Sequence, residues 1–143
     1  MPNPLNYTTQ VDAGKTAGEC VALLAAHKAT HIGLEYDDGQ PTGVHFKIAT
    51  PHGPRQYTLP VNPDGTYRAL SRAKVAPRFQ TREQAQRVAW RVAKDWLEAQ
   101  LALVQAGNAE LAQVMLPYMH VAPGVTAWHA YLDGQLAIEA GHA

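Results

Sequence analysis

In VHFKIA (44–49), Val44, Phe46 and Ile48 alternate with His45 and Lys47, a period of two that predicts a strand with one buried face. HIGLEY (31–36) alternates in the same way, with Ile32, Leu34 and Tyr36 on one side and His31 and Glu35 on the other. RQYTLP (55–60) supplies Tyr57 and Leu59 to the same face. DDGQPTG and PHGP are turns by composition, so these three strands form an antiparallel meander with one face solvated. NYTTQVD (6–12) alternates Tyr7, Thr9 and Val11 and reads as a further edge strand.

Elsewhere the period becomes helical. Thr16 and Glu19 have the spacing of a capping box, and Val21, Leu24 and Ala25 mark the apolar face of a helix ending near Lys28. The longest helical pattern is TREQAQRVAWRVAKDWLEAQLALVQAG, predicted as a helix over 81–106. Thr81 is its cap, Gln84 stands at the capping-box position and Gly107 is its stop. At about 100° per residue, Ala85, Val88, Ala89, Val92, Trp96, Ala99 and Leu103 fall on one stripe, and its small residues suit close approach to a sheet. Between strands and helix, NPDG (62–65) starts a turn and TYRALSRAK forms a short helix. VAPRF is extended because Pro77 restricts Ala76. LAQVMLPYM (111–119) continues as a second apolar helix until Pro117, APG (122–124) turns, and Thr126 caps a last short helix through Trp128 and Tyr131.

The order (β)-α-β-β-β-α-α predicts an α+β fold: a three- to four-stranded antiparallel sheet with helices packed on one face. We expect one domain over 1–143, with an α-β-β-β core at 16–60, a basic connector at 61–80, a helical half at 81–136 and a loose tail at 137–143.

Composition narrows the class. The chain has 143 residues, 46% of them hydrophobic and 17% charged, long enough for a real core and too apolar for intrinsic disorder. The longest apolar run, CVALLAA (20–26), is far short of a membrane span. MPNPLNYTTQ carries neither the basic region nor the apolar core of a signal peptide, and Cys20 alone cannot form an internal disulfide. A soluble, cytoplasmic protein is expected.

Net charge is zero, yet it is unevenly spread. Between Arg68 and Lys94 stand eight basic residues and one acidic residue, Glu83; from Asp95 onward there are five acidic residues and no Lys or Arg. Such segregation can attract anions locally although the total vanishes.

Most catalytic chemistry finds no support. The seven histidines form no H-E-x-x-H, His27 and His31 straddle a helix end, and no cysteine pair exists to help hold zinc. Ser71 is the sole serine, and ALSRA is not a nucleophile elbow. Cys20 lies early in a helix but reads as a small buried residue. Glu35, Asp37 and Asp38 could meet a divalent cation, but the neighbouring strand offers His45 and Lys47, not another carboxylate. No phosphate-binding glycine pattern is present. We therefore expect no catalytic residues, no metal and no cofactor.

The basic run remains. Arg87, Arg91 and Lys94 follow at spacings of four and three on the side away from the alanine stripe, with Trp90 at its edge to stack or pack. Arg82 and Arg78 flank a helix N-terminus suited to phosphate. With Arg72 and Lys74 they define the expected nucleic-acid surface: Arg72, Lys74, Arg78, Arg82, Arg87, Trp90, Arg91 and Lys94. The bland alternative is a solvated face partly neutralised by Asp95 and Glu98.

Two resemblances add context. From NYTTQV through TREQAQRVAWRVAKDWLEAQLAL to LPYM the chain resembles a group of small phage- and prophage-encoded proteins, most specifically over 81–103 and 116–119. The resemblance implies an accessory role in which nucleic-acid handling and interference with host machinery both fit, and no particular activity. Residues 16–106 also resemble the double-stranded RNA-binding domain in element order and in the Gly39, Pro41, Phe46 turn and strand. The last helix, with Thr81, Arg82, Ala85, Ala89 and Ala93, is similar too. That resemblance implies phosphate contact by Arg82. The chain departs from it in lacking a dense lysine cluster, in Glu83, and in having residues 61–80 where a short loop belongs.

Expected, then, is a non-enzymatic phage-type accessory protein that contacts nucleic-acid backbone, DNA or RNA, through residues 72–94. The alternative is a protein-binding module, an inhibitor or adaptor of a host or phage enzyme. It would use the apolar surplus Trp90, Leu97, Leu101, Trp128 and Tyr131, which could also serve self-association or be covered within the chain by residues 108–136.

Overall fold

The computed structural model describes residues 2–134; the expected loose tail at 137–143 lies outside them. Its elements are α1 (Ala13–Ala26), β1 (His31–Asp37), β2 (Gln40–Thr50), β3 (Gly53–Thr58) and α2 (Pro63–Arg72). A single 3-10 turn, Pro77–Phe79, leads into α3 (Arg82–Gln105). The chain continues through α4 (Leu111–Val114), a second 3-10 turn at Leu116–Tyr118, β4 (His120–Ala122), β5 (Val125–Thr126) and α5 (Ala127–Leu132). The fold is α+β, with a three-stranded antiparallel sheet in the order β1-β2-β3 and a separate two-stranded hairpin.

Alternation in β2 does what it predicts. Val44, Phe46 and Ile48 are buried, while Lys47 points to solvent. Asp38 and Gly39, both at positive φ (50° and 75°), make the two-residue turn whose twist suits a β1–β2 hairpin. Pairing then skips from Glu35–Gly43 to Tyr36–Pro41. The bulge leaves Tyr36, expected in the core, 58% exposed at the end of the hairpin.

Two N-terminal expectations are corrected. NYTTQVD is not a strand: residues 5–8 form a turn, and the carbonyls of Tyr7 and Thr9 accept the Gln84 side-chain amide at 2.8 and 2.9 Å. Thr16 does not cap α1. Asp12 does, its carboxylate accepting the Gly14 amide at 3.0 Å. Thr16 lies one turn inside a buried face made of Ala13, Thr16, Ala17, Cys20 and Leu24, which displaces the expected Val21–Leu24–Ala25 face.

The 62–80 segment also differs. NPDG is the first turn of α2 rather than a separate turn: Asn62 caps the Gly65 amide at 2.9 Å and Pro63 occupies a first-turn position, where its missing N–H costs nothing. Ala76 is extended before Pro77, as expected, but Pro77–Phe79 coils. Leu70 of α2 packs on Ala85 and Val88 of α3, with Tyr7 and Tyr67 at the edge.

Helix α3 is therefore contacted on two sides. Ala85 and Val88 meet α2, whereas Trp90, Leu97 and Leu101 join Phe46, Tyr57 and Leu24 in the main core with the sheet and α1. Val92, Ala99 and Leu103, expected on the buried stripe, are exposed, and Trp96 is half-buried with its ring edge-on to Tyr118 at 5.2 Å. Thr81 caps α3 through the Gln84 amide at 3.1 Å, and Gly107 (φ 80°) follows its end. The β4–β5 hairpin, expected only as a turn, joins the β3 edge through a Tyr57–Met119 bridge. Thr126 caps α5 as expected.

Trp90 is fully enclosed, and its indole N–H donates to the Pro41 carbonyl at 2.9 Å. Trp90→Phe removes that donor and thins the core, so an expected loss of roughly 1–3 kcal/mol follows from the orphaned carbonyl and lost packing. Urea unfolding followed by helical circular dichroism measures it. A midpoint equal to the parent's would show that the indole does not anchor the sheet.

Candidate nucleic-acid interface

The basic residues separate into two groups with different neighbours. Arg91 reaches across to α1, where its Nη1 donates to Glu19 at 2.8 Å and to Thr16 Oγ1 at 3.3 Å; its side chain is 21% exposed. Thr16 and Glu19, whose spacing resembled a capping box, are thus the α1 half of an interhelical clamp. Lys94 pairs with Glu98 at 3.1 Å with its side chain 15% exposed. Arg87 is half-buried and donates to Gln84 Oε1 at 3.1 Å. Trp90, buried in the core, is out of reach of any base. The stripe expected to face solvent lies largely along the α1–α3 seam. Arg91 is neutralised by Glu19, not by Asp95, while Lys94 and Glu98 pair as the spacing suggested.

The second group lies where α2 turns into α3. Arg68, Arg72, Lys74, Arg78 and Arg82 are all exposed. Arg68 and Arg72 share a helix face at a spacing of four. Gln80 fixes the corner: its Nε2 donates to the Leu70 carbonyl at 3.0 Å and the Ala73 carbonyl at 3.2 Å, satisfying the end of α2. Arg78 lies over the Phe79 ring at 4.5 Å and Arg82 over the Tyr67 ring at 4.4 Å, while Tyr7 meets Phe79 edge-on at 5.5 Å. Arg82 also pairs with Asp64 at 3.2 Å, but its side chain is 71% exposed, so solvent screens the pair and leaves most of its charge effective. Among the described residues, Arg68, Arg72, Lys74 and Arg78 have no ion-pair partner. From Asp64 to Glu83 there are five cations and two carboxylates. Sequence reading missed Tyr67 and Phe79 as supports for the arginines; the adjacent Arg78 and Phe79 were the one visible sign.

Beside the corner, a cleft of about 370 Å³ takes in Arg82 and Arg87 together with Asp12, Asp38 and Glu83. Three carboxylates make it a poor phosphate site, which sets the boundary of the basic surface at Arg82.

Other titratable groups serve structure. Burial, reinforced by Glu19, pushes the Cys20 thiol up to about 11, so it is not a thiolate nucleophile at neutral pH. Glu35 and His45 approach to 3.7 Å on the outer sheet face, and no three His, Cys, Asp or Glu side chains among the described residues converge as metal ligands. His120 joins β4 to β3 through a 2.7 Å hydrogen bond between its Nε2 and Thr58 Oγ1. Burial, and secondarily the nearby His45, holds its pKa below the ordinary value.

That depression has a direction. Above about pH 6.5 both the folded and unfolded chains carry a neutral imidazole; as pH falls from there toward the lower folded pKa, the unfolded chain binds the proton first and stability drops. A urea midpoint lower at about pH 5.5 than at about pH 7.5 is expected, with a smaller difference in His120→Gln. An unchanged difference in that variant would remove His120 as a source of acid sensitivity. Comparison of the chain with protein-family models, with curated proteins and with solved structures returned no match.

Proposed function

We propose that the protein is a non-enzymatic accessory protein of phage type that binds nucleic-acid backbone through the α2–α3 corner. The carrying observation is the exposed set Arg68, Arg72, Lys74, Arg78 and Arg82, without internal neutralisation except at Arg82, while Arg87, Arg91 and Lys94 are engaged within the fold. This keeps the first half of the surface expected over 72–94 and adds Arg68 to it. The accessory context rests on the resemblance of residues 81–103 and 116–119 alone. The likeness to the double-stranded RNA-binding domain lends nothing, because element order by itself does not transfer activity.

A second reading, a protein-binding or self-associating module, draws on Trp128 and Tyr131, which stack at 5.5 Å on α5 with about half of each exposed. Trp90, Leu97 and Leu101 no longer support it, since they fill the core. Recovery from host lysate of one stoichiometric protein that survives nuclease treatment, and is lost in Trp128→Ala, would favour this reading over the first.

Binding to a mixed-sequence nucleic acid should fall steeply with salt. The Arg72→Ala, Lys74→Ala, Arg78→Ala triple variant should weaken it for all sequences and flatten the slope of log affinity against log salt by roughly 2–3. These exposed changes should leave stability within about 0.5 kcal/mol of the parent. Arg91→Ala with Lys94→Ala should instead lower stability and leave the affinity of the folded protein nearly unchanged. Anisotropy titrations at several salt concentrations decide the matter, and unchanged binding in the corner variant would discard this surface.

A further inference from the structure

Building on the proposed corner, we infer that its ligand is single-stranded nucleic acid in preference to duplex, with the guanidinium groups of Arg78 and Arg82 acting as platforms for unpaired bases. Each is already seated over an aromatic ring, at 4.5 Å on Phe79 and 4.4 Å on Tyr67, so its inner face is occupied and its outer face is turned to solvent. Both rings are packed: Phe79 meets Tyr7 edge-on, and Tyr67 packs against the Leu70–Ala85–Val88 cluster. The Pro77–Phe79 turn that carries Arg78 is tied to α2 by Gln80, which follows it. A guanidinium held in this way loses little conformational freedom when a base stacks on it.

Arginine supplies four of the five corner cations, Lys74 being the exception. Lysine meets phosphate as a point charge, whereas arginine also offers a plane. A duplex hides the faces of its bases in the stack and offers only edges and phosphates, so such planes gain nothing from it. A single strand offers both backbone and base faces. Helix α3 is not free to lie along a groove, because α1 engages it through Arg91 and Glu19 and α2 through Ala85 and Val88.

The test uses a labelled mixed-sequence strand of about 12 nucleotides, within the span of one small surface. It is presented as DNA, as RNA and as the matching duplex at one salt concentration. The single strands, DNA and RNA alike, should bind about tenfold more tightly than the duplex. Arg78→Lys with Arg82→Lys keeps both charges and removes both planes. It should erase the preference while leaving duplex affinity within about twofold. Circular dichroism and the unchanged duplex affinity show that this variant is folded and still electrostatically competent. Equal or tighter duplex binding by the parent, or a lysine variant that keeps the preference, overturns the inference while the backbone-binding reading stands. A preference seen with RNA alone overturns it in favour of 2′-hydroxyl recognition, and failure of all three probes to bind overturns the underlying reading as well.

Discussion

The indole of Trp90, enclosed in the core and hydrogen-bonded to the carbonyl of Pro41, fixes the rotation of α3 about its own axis. Once that side chain faces the sheet, Leu97 and Leu101 must follow it inward, about two and three turns further along. Arg91, one residue on, is swung toward α1, and there Glu19 and Thr16 receive it. Ala85 and Val88 are left on another side, where α2 covers them with Leu70. Helix α3 is thereby contacted by α1, α2 and the sheet, and its one exposed cation is Arg82 at its start.

This accounts for the concentration of positive charge in a neutral chain. Its two parts arise for different reasons. Arg91 and Lys94 balance carboxylates along the α1–α3 seam: the Arg91–Glu19 pair is largely shielded from water, so removal of one partner would strand the other, whereas Glu98, the partner of Lys94, is half exposed. Arg68, Arg72, Lys74, Arg78 and Arg82 are exposed around a corner tied by Gln80, with Arg78 and Arg82 seated over aromatic rings. Every member of the second part is exposed, outside the α1–α3 seam.

Much of the sheet was legible in the sequence because alternation with period two has one interpretation: Val44, Phe46, Ile48, Tyr57 and Leu59 all lie where it puts them. Caps with a short polar side chain were readable at Thr81 and Thr126, each accepting a helix amide. The face of α3 was not readable. A periodic stripe says that residues are covered, not by what, and the apolar residues of α3 form two faces for two neighbours. With α2 expected only as a short helix in a connector, Ala85, Val88 and Ala89 looked like the sheet face. Trp90, Leu97 and Leu101 then looked like surplus. The Thr16–Glu19 spacing misled for a related reason, since both side chains act across an interface with Arg91 rather than along their own helix. At the candidate site, the cations were visible, but which of them meet carboxylates from distant parts of the chain depends on tertiary packing.

Photocross-linking tests the central claim, that ligand meets the corner and not the length of α3, most directly. A single strand carrying a photoreactive pyrimidine is irradiated with the protein, and the adducts are mapped by peptide sequencing. The account predicts adducts clustered within residues 67–82, around Tyr67, Arg78, Phe79 and Arg82. Adducts concentrated in 87–101 of α3, or on the outer sheet face around His45 and Gln56, would contradict it.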